Sequence, residues 1–164
     1  MSINFVKRID DLGRIVIPKE IRRILRIDNN ENMEITLENR EIVIKKHSLL
    51  EDNKKELVLL GTLLNKLTNE KVIITNRDRI IYTNEPYNNK DISEELKNKI
   101  INRKELDNEY ELDICYDTKI KAFYYSKNII IDSDTSGMII IYSNNRINDE
   151  YKKIVNIIAE ILSI

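Results

Sequence analysis

Lysines and arginines are crowded into one short stretch of the sequence. Residues 5–27, FVKRIDDLGRIVIPKEIRRILRI, hold seven of them and only three acidic residues. Arginine can donate two parallel hydrogen bonds to a phosphate or to the edge of a guanine, and lysine adds a point charge. These residue types suit contact with a polyanion, although a solvated surface of mixed charge has a similar composition.

The excess of positive charge is confined to this end of the chain. The whole chain of 164 residues has a formal net charge of −1. Residues 1–26 carry seven basic and three acidic side chains, a net charge of +4, so the remaining residues together carry −5. A segregated basic segment can attract a polyanion even when the protein as a whole is nearly neutral.

Other chemistry finds little support in the residues. One cysteine, Cys115, and one histidine, His47, predict neither an internal disulfide nor a zinc site. Cys115 lies in a strand-like run and is expected to be buried, and His47 is expected at the surface. No GxxxxGK or GxGxxG loop occurs in the sequence, which has only three glycines. We therefore predict no catalytic residue, no metal site and no cofactor, and a protein that is not an enzyme.

One stretch resembles the start of a calcium-binding loop. In DSDTSG, residues 132–137, two aspartates are two positions apart and a glycine is sixth. A calcium loop of this kind has a bidentate glutamate at its twelfth position, where this sequence has Ser143, and helices rather than β-like runs on both sides. The stretch therefore predicts a hairpin turn.

Composition indicates a folded protein outside the membrane. Hydrophobic residues make up 41% of the chain and charged residues 34%, which is a globular balance. No apolar run approaches the roughly 20 residues that span a bilayer, and MSINFVKR lacks the apolar core of a secretory signal. We expect a soluble, cytoplasmic protein.

The basic stretch falls on predicted strands and a short helix. Apolar and polar residues partly alternate over residues 3–9 and a β-type run occupies 15–17, so two strands are predicted. Gly13 lies in the turn between them, where a positive φ is often needed. Pro18 suits the first turn of a helix at about 18–25.

Two further strands complete a β-β-α-β-β unit. MEITLE and EIVIKK predict these strands, joined by a turn at Asn39-Arg40, and the unit ends near Lys46. Fewer than 50 residues can rarely bury enough apolar surface to be stable alone. We therefore expect an obligate dimer.

A helical pattern follows from Leu49 to about Leu67. Leucines recur near heptad spacing, and two more widen the stripe. The positions are Leu50, Leu57, Leu60, Leu64 and Leu67, with Leu59 and Leu63. The pattern is compatible with a helix packed on its own domain and equally with a helical seam between chains.

The remaining residues predict an α+β domain. Two strands, a helix at 92–101, three more β runs and a C-terminal amphipathic helix follow one another. A change of period near 47–52 marks the only boundary. We therefore expect a first domain at 1–48, a connecting helix at 49–68 and a second domain at 69–164.

The run VKRIDDLGRIVIPKEIRR closely resembles the signature of the AbrB-type swapped-hairpin transcription factors. The turn glycine, the arginine after it, the proline and the arginine pair of the helix occur in the order of that family. The resemblance implies a dimeric, DNA-binding β-barrel in which hairpins of two chains interlock. It places the DNA-contacting side chains at Lys7, Arg8, Arg14, Arg22 and Arg23.

Two acidic residues lie among these basic positions. We expect Asp10 and Glu20 to orient neighbouring arginines or to cap backbone groups, rather than to touch an anionic ligand.

The two-domain layout is similar to that of SpoVT-type sporulation regulators, in which a GAF-like domain follows the barrel. This likeness implies a transition-state or sporulation regulator that binds A·T-rich double-stranded promoter DNA in a bacterial nucleoid. It also implies a tetramer, assembled from two dimers through the 49–67 helix and the second domain. A GAF-like domain can bind an unidentified small molecule or serve only to hold an oligomer together.

Two other functions remain open. A swapped-hairpin antitoxin binds its promoter through the same barrel and a toxin through a C-terminal tail. Such tails are usually disordered, whereas residues 70–164 are rich in strand and helix patterns, which favours the regulator. The third possibility is a small-molecule sensor that has no role at DNA.

Overall fold

The computed structural model describes residues 4–27, 29, 31–116 and 118–163. Within it the chain divides into two compact units, Met1–His47 and Ser48–Ile164. These are the N-terminal unit and the C-terminal unit.

In its described residues, the N-terminal unit contains one helix and one hairpin of paired strands. Its elements are α1 (Lys19–Ile24), β1 (Met33–Glu38) and β2 (Glu41–Lys46). The strands are antiparallel, and Asn39 and Arg40 join them, both with positive φ (49° and 67°). Positive φ at both central residues is the geometry of a two-residue turn whose twist matches its strands. The predicted turn is therefore confirmed.

The two strands predicted before α1 are not formed in the single chain. Residues 4–10 and 14–18 have no assigned secondary structure, and residue 3 of the first predicted strand lies outside the described residues. A strand is stable only when a neighbour pairs with its backbone. The described chain provides no such neighbour for either segment.

The N-terminal unit has no core of its own. None of its described residues is fully buried, and Val6 is 97% exposed. The other large exposed apolar side chains are Phe5, Ile9, Leu12, Ile15, Val16, Ile24, Leu25, Ile35, Leu37, Ile42 and Ile44. Exposed apolar area on this scale is unfavourable unless another surface covers it.

The C-terminal unit has an antiparallel sheet between helices, as the predicted α+β class requires. The helices are α2 (Leu49–Asp52), α3 (Lys54–Thr68), α4 (Glu94–Ile101) and α5 (Asp149–Leu162). The strands are β3 (Lys71–Asn76), β4 (Ile80–Thr83), β5 (Asp107–Cys115), β6 (Thr118–Ile131) and β7 (Asp134–Ser143). Their order in the sheet is β4-β3-β7-β6-β5.

Both faces of this sheet are covered. Because successive side chains of a strand point to opposite faces, the isoleucine-rich strands supply two separate cores. One core lies under α2, α3 and α5 and includes Leu57, Leu64, Ile74, Ile139, Val155 and Ile158. The other lies under α4 and includes Ile73, Leu96, Ile100, Tyr124, Met138 and Tyr142.

The predicted helix at 49–67 is divided in two. Asn53 separates α2 from α3, and α3 then packs one face on its own domain through Leu57 and Leu64. The opposite face of α3 leaves Leu59, Leu63 and Leu67 exposed. Of the two arrangements predicted for this segment, packing on its own domain therefore accounts for one face only.

Local predictions in the C-terminal unit agree with the structure. DSDTSG contains the turn of the β6–β7 hairpin and the start of β7. Asp132 and Ser133 form this turn, and both have positive φ. Cys115 is buried in β5 with a free thiol.

In the described part of the chain, no helix is long and apolar enough to cross a membrane.

Candidate nucleic-acid interface

A tight turn sits at the centre of the basic stretch. The Gly13 amide donates to the Asp10 carbonyl at 2.9 Å, and the Asp10 amide donates to the Arg14 carbonyl at 3.1 Å. Gly13 has φ +76°, as the last residue of a three-residue hairpin loop requires. The turn predicted from the glycine is thus formed even though its arms lack a strand partner.

The Asp10 carboxylate joins this turn to the side chain of Arg14. Its Oδ1 accepts hydrogen bonds from the amides of Leu12 (3.0 Å) and Arg14 (2.8 Å). Its Oδ2 accepts one from Arg14 Nε at 2.8 Å. The bond from the Arg14 backbone amide, and then that from the Arg14 side chain, lower the pKa of Asp10, so the carboxylate is charged at neutral pH.

Three of the predicted DNA-contacting residues are exposed and unpaired. Lys7, Arg8 and Arg23 have no ion pair or side-chain hydrogen bond within the described part of the chain. An exposed cation without an acidic neighbour keeps its full charge for an external anion. These side chains are therefore available to a ligand.

Arg22 is in a different position from its neighbour on α1. Its side chain is half-buried, and Nη1 donates to Asn29 Oδ1 at 3.3 Å. Its buried Nε has no hydrogen-bond partner among the described residues. Asn29 was not predicted as part of the site, because no sequence signal distinguishes it from the other polar residues that follow α1.

The single chain assembles only part of the predicted site. Arg14 lies beside Asp10, and Arg22 and Arg23 are adjacent on α1, whereas no described hydrogen bond or ion pair links the turn to the helix. Asp10 both orients an arginine and caps backbone groups, as expected. Glu20 makes no side-chain hydrogen bond or ion pair in the described residues, so the same expectation finds no support there.

The family described as stage V sporulation protein T C-terminal, transcription factor, matches residues 50–163, more than half of the chain. The chain belongs to this family. Residues 6–52 match a second family, described as antidote-toxin recognition MazE, bacterial antitoxin. The stage V sporulation protein T match covers the C-terminal unit, and the antitoxin-type match covers the basic stretch and the β1–β2 hairpin.

Individual relatives come from Bacillus subtilis (strain 168). Stage V sporulation protein T is 38% identical over an aligned stretch of 101 residues, and the match covers 58% of this chain and 57% of that protein. The transition state regulatory protein AbrB and the putative transition state regulator Abh are each 41% identical over 46 residues, 28% of this chain. The matched parts are 48% of AbrB and 50% of Abh, so this chain spans about half of the length of the relatives it matches.

Proposed function

We propose that this protein is a DNA-binding transcription regulator of the transition-state or sporulation type. The observation that carries the proposal is the 41% identity of a 46-residue stretch to the transition state regulatory protein AbrB. The contacts would come from Lys7, Arg8, Arg14, Arg22 and Arg23. Phosphate contacts would fix the protein on the duplex, and arginine forks would add contacts to base edges or to a narrow groove.

The DNA-binding form would be a homodimer. Support comes from the N-terminal unit, where apolar side chains on both predicted arms and on the β1–β2 hairpin are exposed together. Two interlocking copies would supply the missing strand partners and bury these side chains in one barrel. Each basic position would then occur twice, which suits the repeating phosphates of a duplex.

Two such dimers would join through the C-terminal units. The exposed face of α3 supports this step, because Leu59, Leu63 and Leu67 follow one another at helical spacing. On α5, which packs against α3, Ile157 and Ile161 are exposed as well. A helical contact between these apolar faces would give a tetramer.

The remaining assignments follow from this role. Residues 1–48 would form the DNA-binding domain and 49–68 the connection. Residues 69–164 would form a domain that acts in regulation, through an unidentified small-molecule ligand, or in oligomerisation. A preference for A·T-rich promoters would come from sequence-dependent groove shape and bending rather than from a strict code. Action on chromosomal DNA would place the protein in the bacterial cytoplasm, at the nucleoid.

An antitoxin is the second candidate. The match of residues 6–52 to a family described as a bacterial antitoxin favours it. An antitoxin would use its C-terminal part to bind a toxin, and such parts are usually disordered when free. In this chain the C-terminal unit has two buried cores, which supports the regulator.

DNA binding is tested by fluorescence anisotropy with A·T-rich and G·C-rich duplexes at several salt concentrations. We expect tight binding to the A·T-rich duplex that weakens steeply with salt, because phosphate contacts release counterions. Arg14→Ala should weaken binding at least about 30-fold, since a bidentate arginine contact is worth about 1–3 kcal/mol and a dimer carries it twice. Arg146→Ala removes an exposed arginine of the C-terminal unit and should leave binding unchanged.

Two outcomes would contradict the proposal. If the affinity is the same for both duplexes, at every salt concentration and in both variants, the basic stretch has no role in binding. Rapid proteolysis of residues 48–163 in the free protein would indicate a disordered tail and favour the antitoxin.

A further inference from the structure

We propose that Asp10 is a positioning residue for DNA recognition, which holds Arg14 by its Nε so that both Nη groups face the duplex. This role rests on the proposed function. Asp10 is not among the predicted DNA contacts, and it acts through Arg14 rather than on DNA.

Backbone hydrogen bonds hold the Asp10 carboxylate independently of the Arg14 side chain. The amides of Leu12 and Arg14 both donate to Oδ1, which orients the carboxylate over the turn. Oδ2 is then left to accept from Arg14 Nε at 2.8 Å. Because Gly13 closes the same turn, the position of the guanidinium is set by a loop of only five residues.

The part of Arg14 that binds anions remains available. Nε carries one of the five N–H donors of a guanidinium, and the other four are on the two Nη atoms. These Nη atoms have no acceptor among the described residues, and the side chain is 71% exposed. Two Nη groups with a fixed orientation can donate to a phosphate or to a guanine with less loss of side-chain freedom than a mobile arginine.

The negative charge of Asp10 and its positioning of Arg14 should have opposite effects on the affinity for DNA. A carboxylate in a DNA-facing segment repels phosphates, so its charge alone should weaken binding. If Asp10 acts only as a charge, neutralising it should tighten binding. If it positions Arg14, neutralising it should weaken binding.

Two substitutions separate these effects. Asp10→Asn keeps a carbonyl oxygen for the amides of Leu12 and Arg14 but places an NH₂ donor, which cannot accept from Nε, in the position of Oδ2. Asp11→Asn makes the same change of charge one residue away. The Asp11 side chain is exposed and has no hydrogen bond or ion pair in the described residues.

The test is the affinity of the full-length protein for the A·T-rich duplex, measured by fluorescence anisotropy for the unmodified protein and for each variant. An exposed ion pair changes an equilibrium by roughly two- to fivefold, and a dimer carries it twice, so Asp10→Asn should bind about 4- to 25-fold more weakly. Asp11→Asn should bind equally well or about twofold more tightly. Tighter binding by both variants would overturn the proposal.

A double-mutant cycle distinguishes positioning from an effect on the turn alone. If Asp10 acts through Arg14, Asp10→Asn should have no further effect once Arg14 is alanine. An equal loss in both backgrounds would mean that Asp10 only supports the turn, and it would overturn the proposal. If the unmodified protein does not bind DNA, the proposed function fails and this role fails with it. If the protein binds and Arg14→Ala weakens binding while Asp10→Asn does not, only this role fails.

Discussion

At the scale of single residues, close approach and backbone conformation explain where glycine occurs. Gly13 adopts a positive φ in the turn that carries Arg14. At Gly61 the requirement for glycine is steric, because a Cβ at this position in α3 would overlap the ring of Tyr82 on β4. The glycine therefore allows the helix to lie directly against the strand.

Gly61→Ala should destabilise the C-terminal unit. Alanine favours a helix over glycine by about 1 kcal/mol, but overpacking typically costs about 1–3 kcal/mol, so we expect a net loss of up to about 2 kcal/mol. Urea denaturation followed by circular dichroism measures the change. In a Tyr82→Ala background the ring is absent, and Gly61→Ala should become neutral or stabilising. A stabilising effect in the unmodified protein would show that α3 does not lie against this ring.

At the scale of elements, the sheet buries three tyrosines under α4. Tyr87 Oη and Tyr142 Oη are 2.7 Å apart, and Tyr124 Oη donates to the Ile120 carbonyl at 2.8 Å. Burial raises the pKa of all three phenols, most strongly that of Tyr142, where the hydrogen bond to Tyr87 adds to it. The folded protein therefore keeps these protons at pH values where the unfolded chain loses them.

The free energy of unfolding should fall above about pH 10 through this cluster. Below the ordinary pKa of 10.0, both states hold the proton and the contribution of these residues is unchanged. Above it the unfolded chain ionises first, so Tyr124 and Tyr142, whose pKa values are raised most, each cost up to about 1.4 kcal/mol per pH unit. Urea midpoints at about pH 8 and about pH 11 measure this loss. Tyr142→Phe should reduce it, whereas the exposed Tyr110→Phe should not; equal losses in both variants would contradict the assignment.

At the scale of the whole molecule, the two units differ in how they bury apolar surface. The C-terminal unit has a core on each face of its sheet. The N-terminal unit has none among its described residues. The proposed dimer would therefore complete the fold of the N-terminal unit, whereas the proposed tetramer would join C-terminal units that are already folded.

Leu63→Glu should convert the proposed tetramer into a dimer without unfolding the protein. Leu63 is 42% exposed on α3, so a charge is tolerated in the free unit but not in an apolar contact. Sedimentation at micromolar concentration measures the mass. Asn98→Glu adds the same charge to the exposed surface of α4 and should remain a tetramer. A dimer for the unmodified protein would refute the tetramer.

Much of the fold could be predicted locally. The isoleucine-rich strands of the C-terminal unit, its C-terminal helix and the turns at Asn39-Arg40 and 132–133 depend on neighbours in sequence, and the structure contains them. The break at Asn53 was missed, because the leucine spacing continues through it. The strands predicted at 3–9 and 15–17 are not formed in the described part of these ranges, 4–9 and 15–17, because a strand depends on a partner that no local pattern supplies.

The sequence by itself determined the charge segregation, the glycine-containing turn and the fold class, since each depends on residue type and short-range geometry. Only the tertiary structure decided three features: the hydrogen bond of Arg14 Nε to Asp10, the contact of Asn29 with Arg22, and the face of α3 that is exposed. The two side-chain contacts depend on rotamers and loop conformation, and the exposed face of α3 depends on how distant parts of the chain pack; residue types at fixed spacing specify neither.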